Sequence, residues 1–232
     1  MQKALQKIVS LFTKTTPLPK KNARKSRGQS LVEVAIAFPI LIMLFTGMVE
    51  FGFILNFYLS LLDATRDSAR LYSGGDPFVW NPDIVKNPRG ADEFYYETAF
   101  LVQRTLDPLI DDASYRGRRI VLDPAIDDVI VSVYSSNGTS TVPRRAAGPY
   151  HLFATLAKPG GNYPSIFTAT DIANTRVSGA PNAGVLLVEI HYNYHHVLSL
   201  PWMTAFLPNP LHLRAYTIMP IRAAEPAATV SP

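Results

Sequence analysis

Between Leu31 and Leu62 only two side chains carry charge, Glu33 and Glu50, and Asn56 is the one amide. A helix crosses the hydrocarbon core of a bilayer with about 20 apolar residues, so this stretch is long enough with turns to spare. It is too long for the apolar region of a secretory signal, and no small-x-small cleavage site follows it. Ala64 and Ala69 come next, but among Asp63, Arg66, Asp67 and Arg70, which reads as a charged helical surface. The sequence therefore predicts a retained single-pass anchor. The alternative is a core helix of a soluble protein, but such helices are rarely this long without interruption. Pro39 lies inside the span and removes one backbone hydrogen bond, which predicts a mild kink.

The charge is distributed asymmetrically around that span. Before residue 29 lie Lys3, Lys7, Lys14, Lys20, Lys21, Arg24, Lys25 and Arg27 with no acidic residue, a leader of +8. The whole chain is +4, so the remainder carries −4. A nucleic-acid-binding domain places its positive charge on folded elements, and here it is confined to the leader, so no nucleic-acid partner is expected. A polybasic run directly before a membrane segment instead sets topology and contacts anionic head groups. The N-terminus is predicted in the cytoplasm and the bulk of the chain on the far side of the cell membrane.

The two glutamates sit at different depths. Glu33 is near the cytoplasmic interface, where snorkelling keeps its burial penalty low. Glu50 comes 17 residues later, about 25 Å along a helix, and so approaches the opposite interface. A carboxylate in mid-bilayer is unfavourable by roughly 3 kcal/mol, less near an interface. Glu50 therefore either faces head groups or contacts a partner helix.

Arg-Gly-Gln-Ser-Leu-Val-Glu-Val-Ala (27 to 35), Pro39, Gly-Met-Val-Glu-Phe-Gly (47 to 52) and Ala-Thr-Arg-Asp-Ser-Ala-Arg (64 to 70) together resemble the signature of TadE/TadG-like proteins. These are pseudopilin-like components of tight-adherence, or Flp-type, pilus assembly systems. The resemblance is dense from about residue 27 to 72. Farther on, Val-Leu-Leu-Val-Glu-Ile-His-Tyr (185 to 192) and Leu-Arg-Ala-Tyr-Thr-Ile-Met-Pro-Ile-Arg (213 to 222) resemble the paired late strands of such proteins.

The resemblance implies processing. Gly28 would precede the bond cut by a prepilin-type peptidase, Gln29 would become the new N-terminus, and Glu33 would be the fifth residue of the mature chain. Cleavage would create an α-amino group with a pKa near 8 at the end of an apolar helix. In a bundle of such helices, a neighbouring Glu33 carboxylate at low dielectric would partner it. Gln29 stands where the type IV prepilin pattern has an aromatic residue.

The rest of the chain reads as one modest domain. Asp63 to Leu71 continues the anchor helix, with Asp67 and Arg70 as a solvated i, i+3 pair. Ser73-Gly74-Gly75-Asp76-Pro77 ends it, and the sequence reads as loop through Arg89-Gly90. A second helix is predicted over Ala91 to Ile110, with Phe94, Ala99, Leu101, Val102, Leu106 and Leu109 on one side and Asp107-Pro108 weakening its end. Strands follow at Ile120 to Leu122 and Val129 to Tyr134, where Val129, Val131 and Val133 alternate with Ile130, Ser132 and Tyr134. Asn137-Gly138 marks a turn. Residues 138 to 184 have few periodic runs and read as a loop-rich insertion. Val185 to Leu198 and His212 to Ile221 are the best strands and are predicted to be antiparallel neighbours. Residues 223 to 232 read as a disordered tail.

Candidate chemistry is sparse. His191, His195, His196 and His212 cluster in or beside the late strands, with His191 and His195 on one sheet face. Without a His-Glu-x-x-His or any cysteine, a polar strand face is favoured over a metal site. Asp123, Asp127 and Asp128 lack the Gly and distal Glu of a calcium loop and read as a solvated turn. No Gly-x-Ser-x-Gly, phosphate loop or dinucleotide fingerprint occurs, so no enzyme activity, cofactor or metal is expected. Asn137-Gly138-Thr139 matches a glycosylation sequon, a three-residue pattern too frequent to carry weight. With no cysteine, about 160 residues beyond the anchor must hold together by packing alone.

The predicted architecture is α+β. A basic leader (1–28) precedes a long N-terminal transmembrane helix (29–72), which carries a pilin-like head (73–222) of one helix packed on a small antiparallel sheet, with a tail at 223–232. The function implied by the resemblance is a membrane-anchored minor pilin-like subunit or assembly factor of a Flp, tight-adherence pilus or a related secretion machine. Its implied partners are the membrane, other pilin-like subunits, the pilus assembly machinery and a prepilin-type peptidase. Two alternatives are an anchored extracytoplasmic binding module or enzyme using the 138–184 insertion, and a filament-forming pilin.

Overall fold

The computed structural model describes residues 25–77, 92–137, 140–175 and 182–224, which fall into two units, 1–46 and 47–232. The expected leader up to Arg24, the loop at 78–91, residues 138, 139 and 176–181 and the tail from Glu225 lie outside the described residues.

One helix, α1 (Lys25–Tyr72), runs through both units with Pro39 inside it. In the first unit its large apolar side chains from Leu31 to Phe45 are exposed on every side. An all-round apolar helix is stable only where its surroundings are apolar too. The Thr46 hydroxyl turns back on the helix and donates to the carbonyls of Ile42 and Met43 at 2.8 and 3.1 Å. That removes its donor from an apolar environment.

From Gly47 onward α1 is two-faced. Glu50, Ile54, Phe57, Leu61, Ala64, Thr65, Ser68 and Ala69 recur at helical spacing and turn inward, whereas Phe51, Leu55, Leu59, Arg66 and Asp67 are exposed. Full burial of a side chain such as Leu61 contributes roughly 2 kcal/mol. The exposed ion pair is Asp63–Arg66 at 3.8 Å rather than the Asp67–Arg70 pair predicted. Ser73 N–H donates to Ala69 and Gly75 N–H to Tyr72, which ends the helix where the glycines predict.

Helix α2 (Glu93–Leu106) packs beside α1 and buries Tyr95, Thr98, Ala99, Val102 and Leu106. Small residues let the two helices approach closely, so that the Ser68 hydroxyl donates to the Thr98 carbonyl at 2.5 Å. The predicted helix to Ile110 is cut at Leu106: Pro108 cannot continue the hydrogen-bond ladder, and the Asp107 carboxylate caps a separate 3-10 turn at Pro108–Ile110. Leu101 and Phe94, expected on the buried stripe, are only partly covered; Tyr95 and Thr98 take their place.

The sheet comprises β1 (Asp128–Ser136), β2 (Thr141–Pro143), β3 (Tyr150–His151), β4 (Ala183–Tyr194) and β5 (Leu211–Pro220). Its order is β2-β1-β4-β5, with β3 beside β2 on the same edge of β1, and every pairing is antiparallel. The two late strands are neighbours as predicted. Val129, Val131, Val133, Leu186, Val188 and Ile190 join Leu61, Ala99 and Val102 in the main core. Ile120 to Leu122, predicted as a strand, does not join the sheet; Ile120 N–H instead closes α2 by donating to the Leu106 carbonyl, and Ile120 and Leu122 fill the core.

Every residue of β1 is buried, because the 138–184 insertion covers the second face of the sheet. Its described residues are more ordered than a loop: besides β2 and β3 they form α3 (Ala169–Thr175), whose Ile172 packs with Phe167 on Tyr134 and Leu187. Order also extends past residue 222, since Arg222–Ala224 forms a 3-10 turn with Ala224 fully buried. Gly184 permits this turn, because a Cβ there would collide with the Ile221 carbonyl and Ala224.

Candidate functional site

The second sheet face carries most of the head's buried polar groups. Asp127 and Asp128 are buried, not the solvated turn predicted. The Asp128 carboxylate pairs with His151 Nδ1 at 2.9 Å and accepts from Asn162 N–H at 3.0 Å. Asp127 accepts from the backbone N–H groups of Asp123 and Asn193, each at 2.8 Å. Both carboxylates therefore pin loops to the strands. Burial raises Asp127 above the usual carboxylate range despite those donors. Glu189, fully buried, is also raised by burial; it accepts from the Ser165 hydroxyl and from Ile166 N–H at 3.0 Å.

The histidines separate into different surroundings. His191 Nδ1 lies 3.1 Å from His212 Nε2, and the Tyr163 ring stacks on both at 4.7 and 4.5 Å. Burial, then His212 and Arg214, push His191 down to about 4; burial lowers His212 as well. His195 lies exposed beyond β4, and His196 is buried near Tyr194 with neither ring nitrogen hydrogen-bonded. Among the described residues no group of three or more His, Asp or Glu side chains is placed to hold a metal ion.

The residues singled out in and before the apolar segment lie on α1. Gly28 and Gln29 are in its opening turns, and Glu33 is exposed on its all-apolar part. Glu50 is fully buried instead of facing head groups or another helix. Its Oε1 accepts from the Tyr194 hydroxyl at 2.6 Å and Val197 N–H at 3.0 Å, and its Oε2 accepts from Leu198 N–H at 3.0 Å. Both oxygens are thus used within the chain, holding the segment after β4 against α1. Phe57 supports the same contact, its ring edge-on to Tyr194 at 4.9 Å. The signal was present in the sequence: Glu50, Ile54, Phe57 and Leu61 share one helical stripe, but the apolar residues around them hid it.

Residues 28–70 match the family model described as TadE-like protein. Comparison with curated proteins and with solved structures gives no match. The TadE-like match begins at Gly28 and stops two residues short of the end of α1, so it contains the apolar segment, Glu33, Glu50 and the whole inward stripe. It bears out the resemblance to TadE/TadG-like proteins over those residues. The TadE-like helix is also long and apolar enough to cross a membrane.

Proposed function

We propose that this protein is a membrane-anchored, minor pilin-like subunit or assembly factor of a Flp, tight-adherence pilus, acting by lateral association of its TadE-like helix. The observation that carries the reading is the coincidence of the TadE-like match with a helix whose first part presents apolar side chains all round and whose second part is fixed to a folded head. Such a helix can move laterally between lipid and neighbouring helices without unfolding the head.

The +8 leader favours a cytoplasmic N-terminus, which leaves residues 63 to 232 outside the cytoplasm. A cytoplasm-dependent reporter fused after Pro232 should be silent, and an active one overturns this orientation. The function itself is tested by affinity purification of the full chain from membranes of its host under mild extraction. Recovery of other pilin-like subunits and pilus assembly components is expected; recovery of the chain alone contradicts the proposal.

A further inference from the structure

Beside α1 lies a groove of about 660 Å³ whose walls include Val49, Gly52, Phe53, Phe57 and Val197. Its lining is graded. Val49 and Phe53, at the end nearer the apolar segment, offer only hydrocarbon, whereas Asn56 and Arg118 bring polar groups to the other end. The Arg118 guanidinium lies 4.4 Å above the Phe57 ring, and the residue is exposed. No carboxylate among the described residues pairs with it: Asp63 shares an adjoining cavity but is bonded to Arg66. A guanidinium supported on a ring and without a carboxylate partner among the described residues, its donors in a fixed fork, suits a phosphate.

Position along the helix agrees with this chemistry. Phe53 follows Arg27, the last basic residue before the span, by 26 residues, about 39 Å of helix. A bilayer with its head groups is about 40–45 Å thick. Asn56 and Arg118 therefore come at head-group depth, with Val49 below them at the edge of the hydrocarbon.

We propose that this groove binds one anionic phospholipid of the leaflet on the head's side, its phosphate on Arg118 and an acyl chain along Val49 and Phe53. The proposal rests on the reading of α1 as a membrane anchor and adds a specific lipid site to it. The lipid would fill the groove that α1 leaves open and seat the base of the head at the membrane surface.

The test uses the full chain reconstituted in phosphatidylcholine vesicles containing phosphatidylglycerol, floated, extracted and weighed by native mass spectrometry. Wild type should retain one phosphatidylglycerol. Arg118→Gln should retain about fivefold less, the weight of one basic side chain at an anionic surface, and Arg118→Lys should recover part of it. Gly52→Leu should also lose the lipid with Arg118 intact, since a Cβ at Gly52 meets nothing within 4 Å and Gly52 lines the groove, so the larger side chain would occupy it. Equal retention by wild type, Arg118→Gln and Gly52→Leu in floated vesicles overturns the site while leaving the anchor. Disulfide-linked dimers as the main product of Phe53→Cys overturn it in favour of a second copy in the groove. Failure of wild type to float removes the anchor reading and this site with it.

Discussion

The phenol of Tyr194 donates a 2.6 Å hydrogen bond to the carboxylate of Glu50, 144 positions away in the chain. Together with Val197 and Leu198 N–H, it makes Glu50 the acceptor for three donors at the base of the head. Glu50→Ala leaves those donors without their acceptor; the Tyr194 hydroxyl is buried and so orphaned at roughly 1–3 kcal/mol, whereas the two N–H groups are only partly buried and water can reach them. We expect a loss of about 2 kcal/mol, or some 6 °C in Tm for a domain of this size. Tyr194→Phe removes one bond to a charged acceptor, about 2 kcal/mol. Thermal melts followed by near-ultraviolet circular dichroism check both; an unchanged Tm for Glu50→Ala would show that the carboxylate does not hold this segment.

Acid sensitivity should come in part from His191. Its folded-state pKa of about 4 lies below the ordinary value near 6.5, so the unfolded chain binds a proton that the fold resists. Stability from this group is fully present above about pH 6.5 and is lost as pH falls toward 4, by up to about 3 kcal/mol. His212, also lowered, acts in the same direction. Asp127 and Glu189 are raised by burial and act oppositely: stability is lost as pH rises through their folded values. The difference between wild type and His191→Phe isolates the histidine. Denaturant unfolding at pH 7 and pH 4.5 should show a smaller acid loss in the variant, and parallel losses would remove His191 as a cause.

The late strands were legible because Val185 to Ile190 are apolar and β-forming, and α2 because its apolar residues fall at helical spacing. Asp107-Pro108 gave its end. The coverage of the second sheet face was not legible: it rests on Tyr163, Phe167 and Ile172, set among Gly and Pro without period, and on loops pinned by Asp127 and Asp128. Composition marks such carboxylates as surface, and only the fold shows which backbone N–H groups they meet. Glu50 was visible as an exceptional residue, but hydropathy alone could not distinguish lipid from the chain's own head as its neighbour.

Processing at Gly28 is expected to give a mature chain that begins at Gln29. Gly28 is exposed and a Cβ there meets nothing within 4 Å, so Gly28→Trp should leave the fold intact and block cleavage. Intact mass of the protein from host membranes with an active peptidase decides this. Retention of Met1 to Gly28 in wild type would leave an uncut anchor.

Glu33 distinguishes a snorkelling residue from an assembly contact. Removing its charge eases insertion, so a purely interfacial Glu33 tolerates Glu33→Gln. As partner of a neighbouring amino terminus it does not, because breaking a buried pair is unfavourable by about 3–5 kcal/mol. We expect Glu33→Gln to insert and fold while co-purifying with the pilus machinery at a clearly reduced level. Wild-type recovery with cleavage confirmed would exclude the pairing role.

Lateral association of the TadE-like helix is tested most directly by a photo-cross-linking residue at Ile40, which is exposed within the apolar segment, introduced into the full chain in its host. Adducts between Ile40 and another pilin-like subunit are expected in the membrane, with none to other proteins from fully buried Leu61. Adducts from Ile40 to lipid alone, under conditions in which the pilus assembles, would contradict lateral association.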